Sequence, residues 1–193
     1  MPQVLFIIEI LSVLLTLIYL YFAAKKNASA WIFGVVASIL GAYMFFEQHL
    51  PGSAVLNIVY GVQGIIGYIN WKKFISDKQP AYDLKWTSHI FWILSCIMLS
   101  LLVFKGLMML DYHDFLYADI LLAMGSIVAT SLEIRKDTSC WWYWMVCNIA
   151  YATLYLWQSL QTGQTLYLYA LLMLGLAIFS YAAKRAWEKV KTI

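Results

Sequence analysis

The sequence predicts an all-α integral membrane protein of seven transmembrane helices, and three observations predict it. The first is composition: 63% of the 193 residues are hydrophobic and 12% charged, with mean hydropathy +0.74, against roughly 45–50% apolar and 25% charged in soluble domains. A water-soluble fold of this length cannot hide so much apolar surface. The second is the division of the chain into seven apolar windows, each long enough to cross the hydrocarbon at ~20 residues per helix. The third is the side on which the basic residues fall. Together they exclude a large extramembrane domain, a soluble enzyme fold and a disordered chain, and no nucleic-acid partner is expected; the partner of so apolar a surface is the lipid bilayer.

The windows run over about 4–24, 30–48, 53–74, 86–109, 115–134, 139–160 and 164–187. They are continuous, not alternating, which favours helices over barrel strands. The first lacks a basic n-region and is followed by further spans, so it does not read as a cleavable signal peptide. The longest connection, Ile75 to Lys85, carries Pro80 and mixed charge and is the expected hinge between halves. The expected division is 1–74 as a first three-helix repeat, 75–114 as a linker with the fourth helix, and 115–193 as a second three-helix repeat.

Charge fixes the orientation. Lys25, Lys26, Lys72, Lys73, Lys78, Lys85, Arg135, Lys136, Lys184, Arg185, Lys189 and Lys191 lie in the connections after spans one, three and five or at the C-terminus, twelve of the 13 Lys and Arg; the opposite side has Lys105. The excess of basic residues in cytoplasmic loops then puts the N-terminus outside and the C-terminus in the cytoplasm. Taken singly, each of these charges reads as a solvated loop end.

An internal repeat supports the same layout. At an offset of 110, Glu9 meets Asp119, Thr16 meets Ser126, Lys25-Lys26 meets Arg135-Lys136, Ser29 meets Ser139, Trp31 meets Trp141, Gln48 meets Gln158 and Leu50 meets Leu160. Four crossings separate the two starts, so spans one to three and five to seven point the same way, a 3+1+3 parallel repeat of the kind found among transporters, whose sites lie near the midplane.

Polar side chains at membrane depth are costly and need a reason. On span six Trp141, Trp144 and Asn148 fall at i, i+3 and i+7, on one helical face, with Asn148 ~10 Å deeper than Trp141 at 1.5 Å per residue. Indole faces attract cations and an amide both donates and accepts, so the set suits a flat, cationic, hydroxyl-bearing ligand. An interfacial aromatic belt is the other reading of Trp141 and Trp142; Asn148 is too deep for one. Span three offers Asn57, Tyr60 and Gln63. Gln63 is near mid-span and expected to face a cavity or a partner helix, whereas Asn57 fits interhelical hydrogen bonding equally well. Gly61, Gly64 and Gly67 read as close helix packing. Glu9 and Asp119 are either counter-charges or proton-relay groups, or structural acids holding neighbouring helices; their outer-third depth favours the structural reading. His49 and His113 fall in outer connections, and His89 opens span four. Cys96, Cys140 and Cys147 lie in apolar stretches with neither disulfide nor metal-ligand spacing. No metal, no cofactor and no nucleophile–base pair is expected, so the chain does not read as an enzyme.

These residues resemble the PnuC-type vitamin transporters over nearly the whole length. Trp141-x-x-Trp144-x-x-x-Asn148 resembles the family's W-x-x-W-x-x-x-N signature, and Asp119, Ser126-Ile127-Val128-Ala129 and Arg135-Lys136 resemble its fifth span. Glu9, Gly34, Leu50 and Gly67-Tyr68-Ile69-Asn70-Trp71 fit its first half. The resemblance implies a 3+1+3 arrangement related to the sugar-carrying SWEET proteins. It also implies a multi-pass protein of the bacterial inner membrane, uptake of nicotinamide riboside by facilitated diffusion with trapping by a cytoplasmic kinase, and a homotrimer. Ala37, Asn57 and Gly64 stand where the riboside branch often has Asn, Gln and Asn. Thiamine, carried by a related branch, is also a flat aromatic cation with a hydroxyl, so the substrate stays open between the two.

Overall fold

The computed structural model of the chain describes residues 2–47, 51–73, 81–109, 117–162 and 167–189. Seven helices lie among them: α1 Pro2–Ala24, α2 Ser29–Glu47, α3 Pro51–Lys73, α4 Trp86–Met109, α5 Tyr117–Ile134, α6 Cys140–Thr162 and α7 Tyr167–Lys189. Each coincides with a predicted window to within a few residues. Most of the Ile75–Lys85 hinge, His49, Leu50 and His113 lie outside the described residues.

Five helices, α1, α2, α4, α5 and α7, are long and apolar enough to cross a membrane. α3 and α6 fall short of that line for a chemical reason. α3 carries Asn57, Gln63 and Asn70, and α6 carries Asn148 beside a ring-rich Trp-Trp-Tyr-Trp opening. The two helices that fall short are therefore the two that hold the candidate binding residues. α1 and α4 turn large aliphatic side chains outward, Leu14 and Leu102 among them, as hydrocarbon allows and water does not.

The chain forms two compact units. The first holds Met1–Ala81 with Glu133–Lys136 and Ala186–Ile193; the second holds Tyr82–Leu132 and Asp137–Arg185. In the first, α2 packs on both α1 and α3. The α2–α3 contact is close because α3 presents glycine to it. A methyl group on Gly64 would come within 2.6 Å of Val35 Cγ2, and one on Gly67 within 2.5 Å of the Trp31 ring. Gly61 is less tightly held: an added methyl there would lie 3.8 Å from the Ser38 Cβ. In the second unit, Gly125 of α5 admits the Cys147 sulfur of α6, which would lie 2.9 Å from an added Cβ. Phe104 of α4 meets Tyr117 of α5 edge to face, centroids 5.5 Å apart.

The turn from α1 to α2 and the turn from α5 to α6 make the same hydrogen bonds at the offset of 110. Lys26 N–H donates to Ala23 C=O and Lys136 N–H to Glu133 C=O, both at 2.9 Å; Asn27 N–H reaches Phe22 C=O at 3.0 Å and Asp137 N–H reaches Leu132 C=O at 3.1 Å. This pair of bonds is the Schellman closure of a helix C-terminus. Its left-handed position is filled by Lys26 and by Lys136, each with φ 56°. Glycine is the usual occupant, and an L-residue there costs roughly 1–2 kcal/mol. The next residue caps the following helix: Asn27 Oδ1 accepts from Ser29 N–H at 2.8 Å, and Asp137 Oδ1 from Ser139 N–H at 2.9 Å.

One expectation is corrected here. Lys26 and Lys136 are not solvated loop ends: they are 4% and 1% exposed. From the left-handed position the side chain leaves the turn toward the interior of the unit. The Lys136 amine sits 4.9 Å from the centroid of the Trp71 ring, where cation–π attraction offsets part of the lost hydration. Lys25 and Arg135, one residue earlier, are exposed as expected.

Candidate functional site

The α6 face begins at its cap. Asp137 Oδ1 also accepts from the Ser139 hydroxyl, which fixes the first turn of the helix. The neighbouring Thr138 holds the segment that leads into α4: its N–H donates to Tyr82 C=O at 2.9 Å, and its hydroxyl reaches the same carbonyl and the Asp83 carboxylate. The Asp137 carboxylate is fully buried and its Oδ2 has no hydrogen-bond partner. Burial pushes its carboxyl above the ordinary aspartate value; the Ser139 hydroxyl and N–H, the Leu84 N–H and the charge of His89 pull the other way. His89 at the start of α4 lies over Tyr143 of α6, with Nδ1 and the phenol oxygen 3.2 Å apart and the rings stacked at 6.0 Å.

Beyond that turn the predicted face is visible residue by residue. Trp141 is buried in the second unit and meets Phe179 of α7 edge to face at 6.2 Å, so it is an interior ring and not part of a lipid-facing belt. Trp142 is 45% exposed, with the Lys184 amine 5.1 Å from its ring centroid, the arrangement of an interfacial aromatic beside a snorkelling lysine. Trp144 is half-buried and Asn148 is buried. The stripe continues to Tyr151 and Tyr155, half-buried and stacked at 5.9 Å. Sequence reasoning missed these two tyrosines. The signal was present, because from Trp144 the positions i+4, i+7 and i+11 return to one face.

On α3 the predicted residues belong to the first unit. Gln63 is buried, and Asn57 and Tyr60 are half-buried. The Asn57 carboxamide lies against Gly41 of α2: its Oδ1 would be 2.6 Å from a Cβ there, so this amide lies at the α2–α3 contact, in keeping with the interhelical reading. Glu9 on α1 and Asp119 on α5 are both half-buried. Asp119 occupies the first turn of its helix, where the positive end of the peptide dipoles favours a carboxylate. Trp141, Trp144 and Asn148 thus share one helix of the second unit, and Asn57, Tyr60 and Gln63 share one helix of the first. Among the described residues no three His, Cys, Asp or Glu side chains cluster to hold a metal ion.

A lone amide between a half-buried indole and stacked phenols can orient a flat polar solute by stacking and hydrogen bonding. It supplies no nucleophile or acid–base pair.

Residues 6–189 match the family described as nicotinamide mononucleotide transporter. The nicotinamide riboside transporters PnuC of Escherichia coli K12 and Shigella flexneri are each 19% identical to the chain, over 79% of it and 75% of their own length. The fold is that of a crystal structure of the vitamin B3 transporter PnuC, with TM-score 0.72 at 22% identity, covering 93% of this chain and 80% of that one. With nearly its full length inside the family pattern, and seven helices in a matching fold, the chain belongs to the nicotinamide mononucleotide transporter family of multi-pass membrane proteins.

Proposed function

We propose that this transporter takes up nicotinamide riboside by facilitated diffusion, with phosphorylation in the cytoplasm trapping the product. The observation that carries the reading is the α6 face. Asn148 is buried one turn beyond a half-buried Trp144, an amide held at membrane depth, where a polar group is costly, beside an aromatic surface that can stack on a flat cation. The names of the bacterial relatives support the solute. Trp144 stacks on the pyridinium, Asn148 bonds the ribose or carboxamide and Trp141 backs the face; Gln63, Tyr60 and Asn57 of α3 are the further substrate-binding residues of this reading. Glu9 and Asp119 are structural in this reading. The protein lies in the inner membrane with its N-terminus outside and its C-terminus in the cytoplasm, as the distribution of basic residues favours. It has a 3+1+3 SWEET-like arrangement, divided at 1–74, 75–114 and 115–193, and assembles as a homotrimer.

Thiamine is the second reading, and a specific observation favours it. Gly64 stands where the riboside branch often has Asn, Val35 occupies the space beside it, and the Asn57 amide lies against Gly41, so α3 offers a carboxamide-bearing solute fewer amides than that branch does. Titration of the purified protein by intrinsic tryptophan fluorescence separates the two, with nicotinamide riboside, its phosphorylated form and thiamine run side by side. Saturable quenching by the riboside, and much weaker response to the others, is the expected result. Saturation by thiamine alone transfers the assignment to the second reading, and no response to any of the three overturns both.

A further inference from the structure

Within the first unit, three buried indoles gather where the ends of α1, α3, α5 and α7 meet the start of α2. Trp71 near the end of α3 donates its Nε1–H to Ile134 C=O at the end of α5, at 2.9 Å. Trp187 near the end of α7 donates to Ala23 C=O near the end of α1, at 3.0 Å. Tyr19 of α1 donates its hydroxyl to the Glu133 carboxylate of α5 at 2.6 Å. Each of these bonds joins the first half of the sequence to the second. Trp31 completes the box, edge-on to Trp71 at 5.3 Å, and Trp71 meets Trp187 at 6.1 Å. The three indoles are 0–2% exposed, so the box is buried.

We propose that this tryptophan box is a gate that opens and closes in each transport cycle. The inference rests on the transport role of the family, not on which solute is carried. Three features favour a moving closure over a fixed core. The indoles bond to carbonyls in the last turns of helices, where water replaces a donor without breaking the helical ladder. The two strained lysine turns lie beside those carbonyls, at the ends of α1 and α5, and element ends are where hinge motions are absorbed. Opening also hydrates the buried Lys136 and Glu133 while it exposes indole surface, so the gain in hydration of the charges offsets part of the cost of wetting the rings. A transporter with a site between two faces must shut one of them at every moment.

The test follows a cysteine under the box. Ala23 is fully buried, and Ala23→Cys places a thiol beside the Trp187 bond. Labelling at position 23 by N-ethylmaleimide, read by mass spectrometry on purified protein, is expected to be slow. Adding Trp187→Phe or Trp71→Phe keeps a ring and removes the donor. Each should speed labelling by about fivefold, the worth of one hydrogen bond, without solute present. Ala129→Cys, equally buried in the second unit, should stay at its slow rate in the same backgrounds. Nicotinamide riboside is expected to change the rate at position 23 in the protein with both tryptophans. If the phenylalanine variants leave position 23 unchanged, or speed positions 23 and 129 alike, the box is static packing. If neither phenylalanine variant folds, a riboside-insensitive rate at position 23 in protein that binds the riboside overturns the gate. Binding without a rate change thus defeats the gate, while a response to the phenylalanine variants without riboside binding defeats only the choice of solute.

Discussion

The α1–α2 and α5–α6 turns share their backbone bonds and even the pattern of burial that follows them, yet the side chains they carry differ in kind. From Ala30 to Leu40 and from Cys140 to Ala150 the alternation of buried and exposed positions is the same. Where the first half has Ala28, Gly34 and Ser38, the second has Thr138, Trp144 and Asn148. Gly34 accommodates the Tyr19 ring, 3.1 Å from an added Cβ, whereas its counterpart is an indole on the candidate binding face. The repeat therefore preserves a scaffold while its side chains divide: small packing residues at these positions in the first half, and in the second the α6 residues proposed above to meet the solute.

The largest expected effect breaks or confirms that division. Asn148→Ala should weaken solute binding by ~1–3 kcal/mol through the unpaired polar group it leaves, and Trp144→Ala by ~0.5–2 kcal/mol through the lost cation–π face. Ser38→Ala, the equivalent change in α2, should leave the dissociation constant within about twofold. The fluorescence titration measures all three, and equal losses from Ser38→Ala and Asn148→Ala would show that α2 recognises the solute as α6 does. Trp142→Ala, on the exposed side of α6, should do less than Trp144→Ala.

The packing half is sharpened by glycine. Gly67→Ala drives a methyl into the Trp31 ring and should cost ~1–3 kcal/mol of stability, the usual penalty for overpacking. Gly175→Ala on α7 meets nothing within 4 Å and should be neutral or slightly stabilising, since alanine is the better helix former. Thermal unfolding of the two variants in detergent measures the contrast.

A smaller effect separates the caps. Asn27 and Asp137 do the same work, but only Asp137 buries a carboxylate whose second oxygen lacks a partner. Its carboxyl titrates above the ordinary aspartate value. The folded protein thus holds that proton more tightly than the unfolded chain, and the stability it contributes is present at low pH and lost as pH rises through the folded value. Asp137→Asn should flatten this decline and raise the melting temperature at neutral pH, by about 2–4 °C for each kcal/mol relieved. Asn27→Asp should lower it. A wild-type midpoint that does not fall across the acid range would show that the carboxylate is solvated in the native protein.

The smallest effect concerns the repeated acids. Glu9→Gln and Asp119→Asn should lower folded yield more than they alter transport. In proteoliposomes at zero potential, uphill accumulation driven by a proton gradient and lost in Asp119→Asn would turn these side chains into a relay.

The helices were legible because all but one of the connections between apolar runs carry charge or proline: Lys25 after α1, Pro51 at the head of α3, Lys85 before Trp86. The α6 face was legible because helical spacing is local. Trp71 and Trp187 were opaque for the opposite reason. Their partners are backbone carbonyls far away in sequence, and a carbonyl has no residue identity to read. Lys26 and Lys136 misled because a lysine next to a helix end is ordinarily wet; only the left-handed backbone sends these two inward. Tyr151 and Tyr155 were readable in principle, since they extend a spacing already in view.

The bond from Trp187 to Ala23 also bears on how the protein is made. Its partners are 164 residues apart. The ribosome delivers α1 long before α7, so the Ala23 carbonyl must wait through the insertion of five intervening helices for the indole that covers it. Native contacts of such long range are slow to form, and partly built membrane domains expose surfaces that invite misassembly. The first unit is thus begun first and finished last, and a nascent chain arrested before α7 emerges would have an unsealed end for a chaperone or protease to detect.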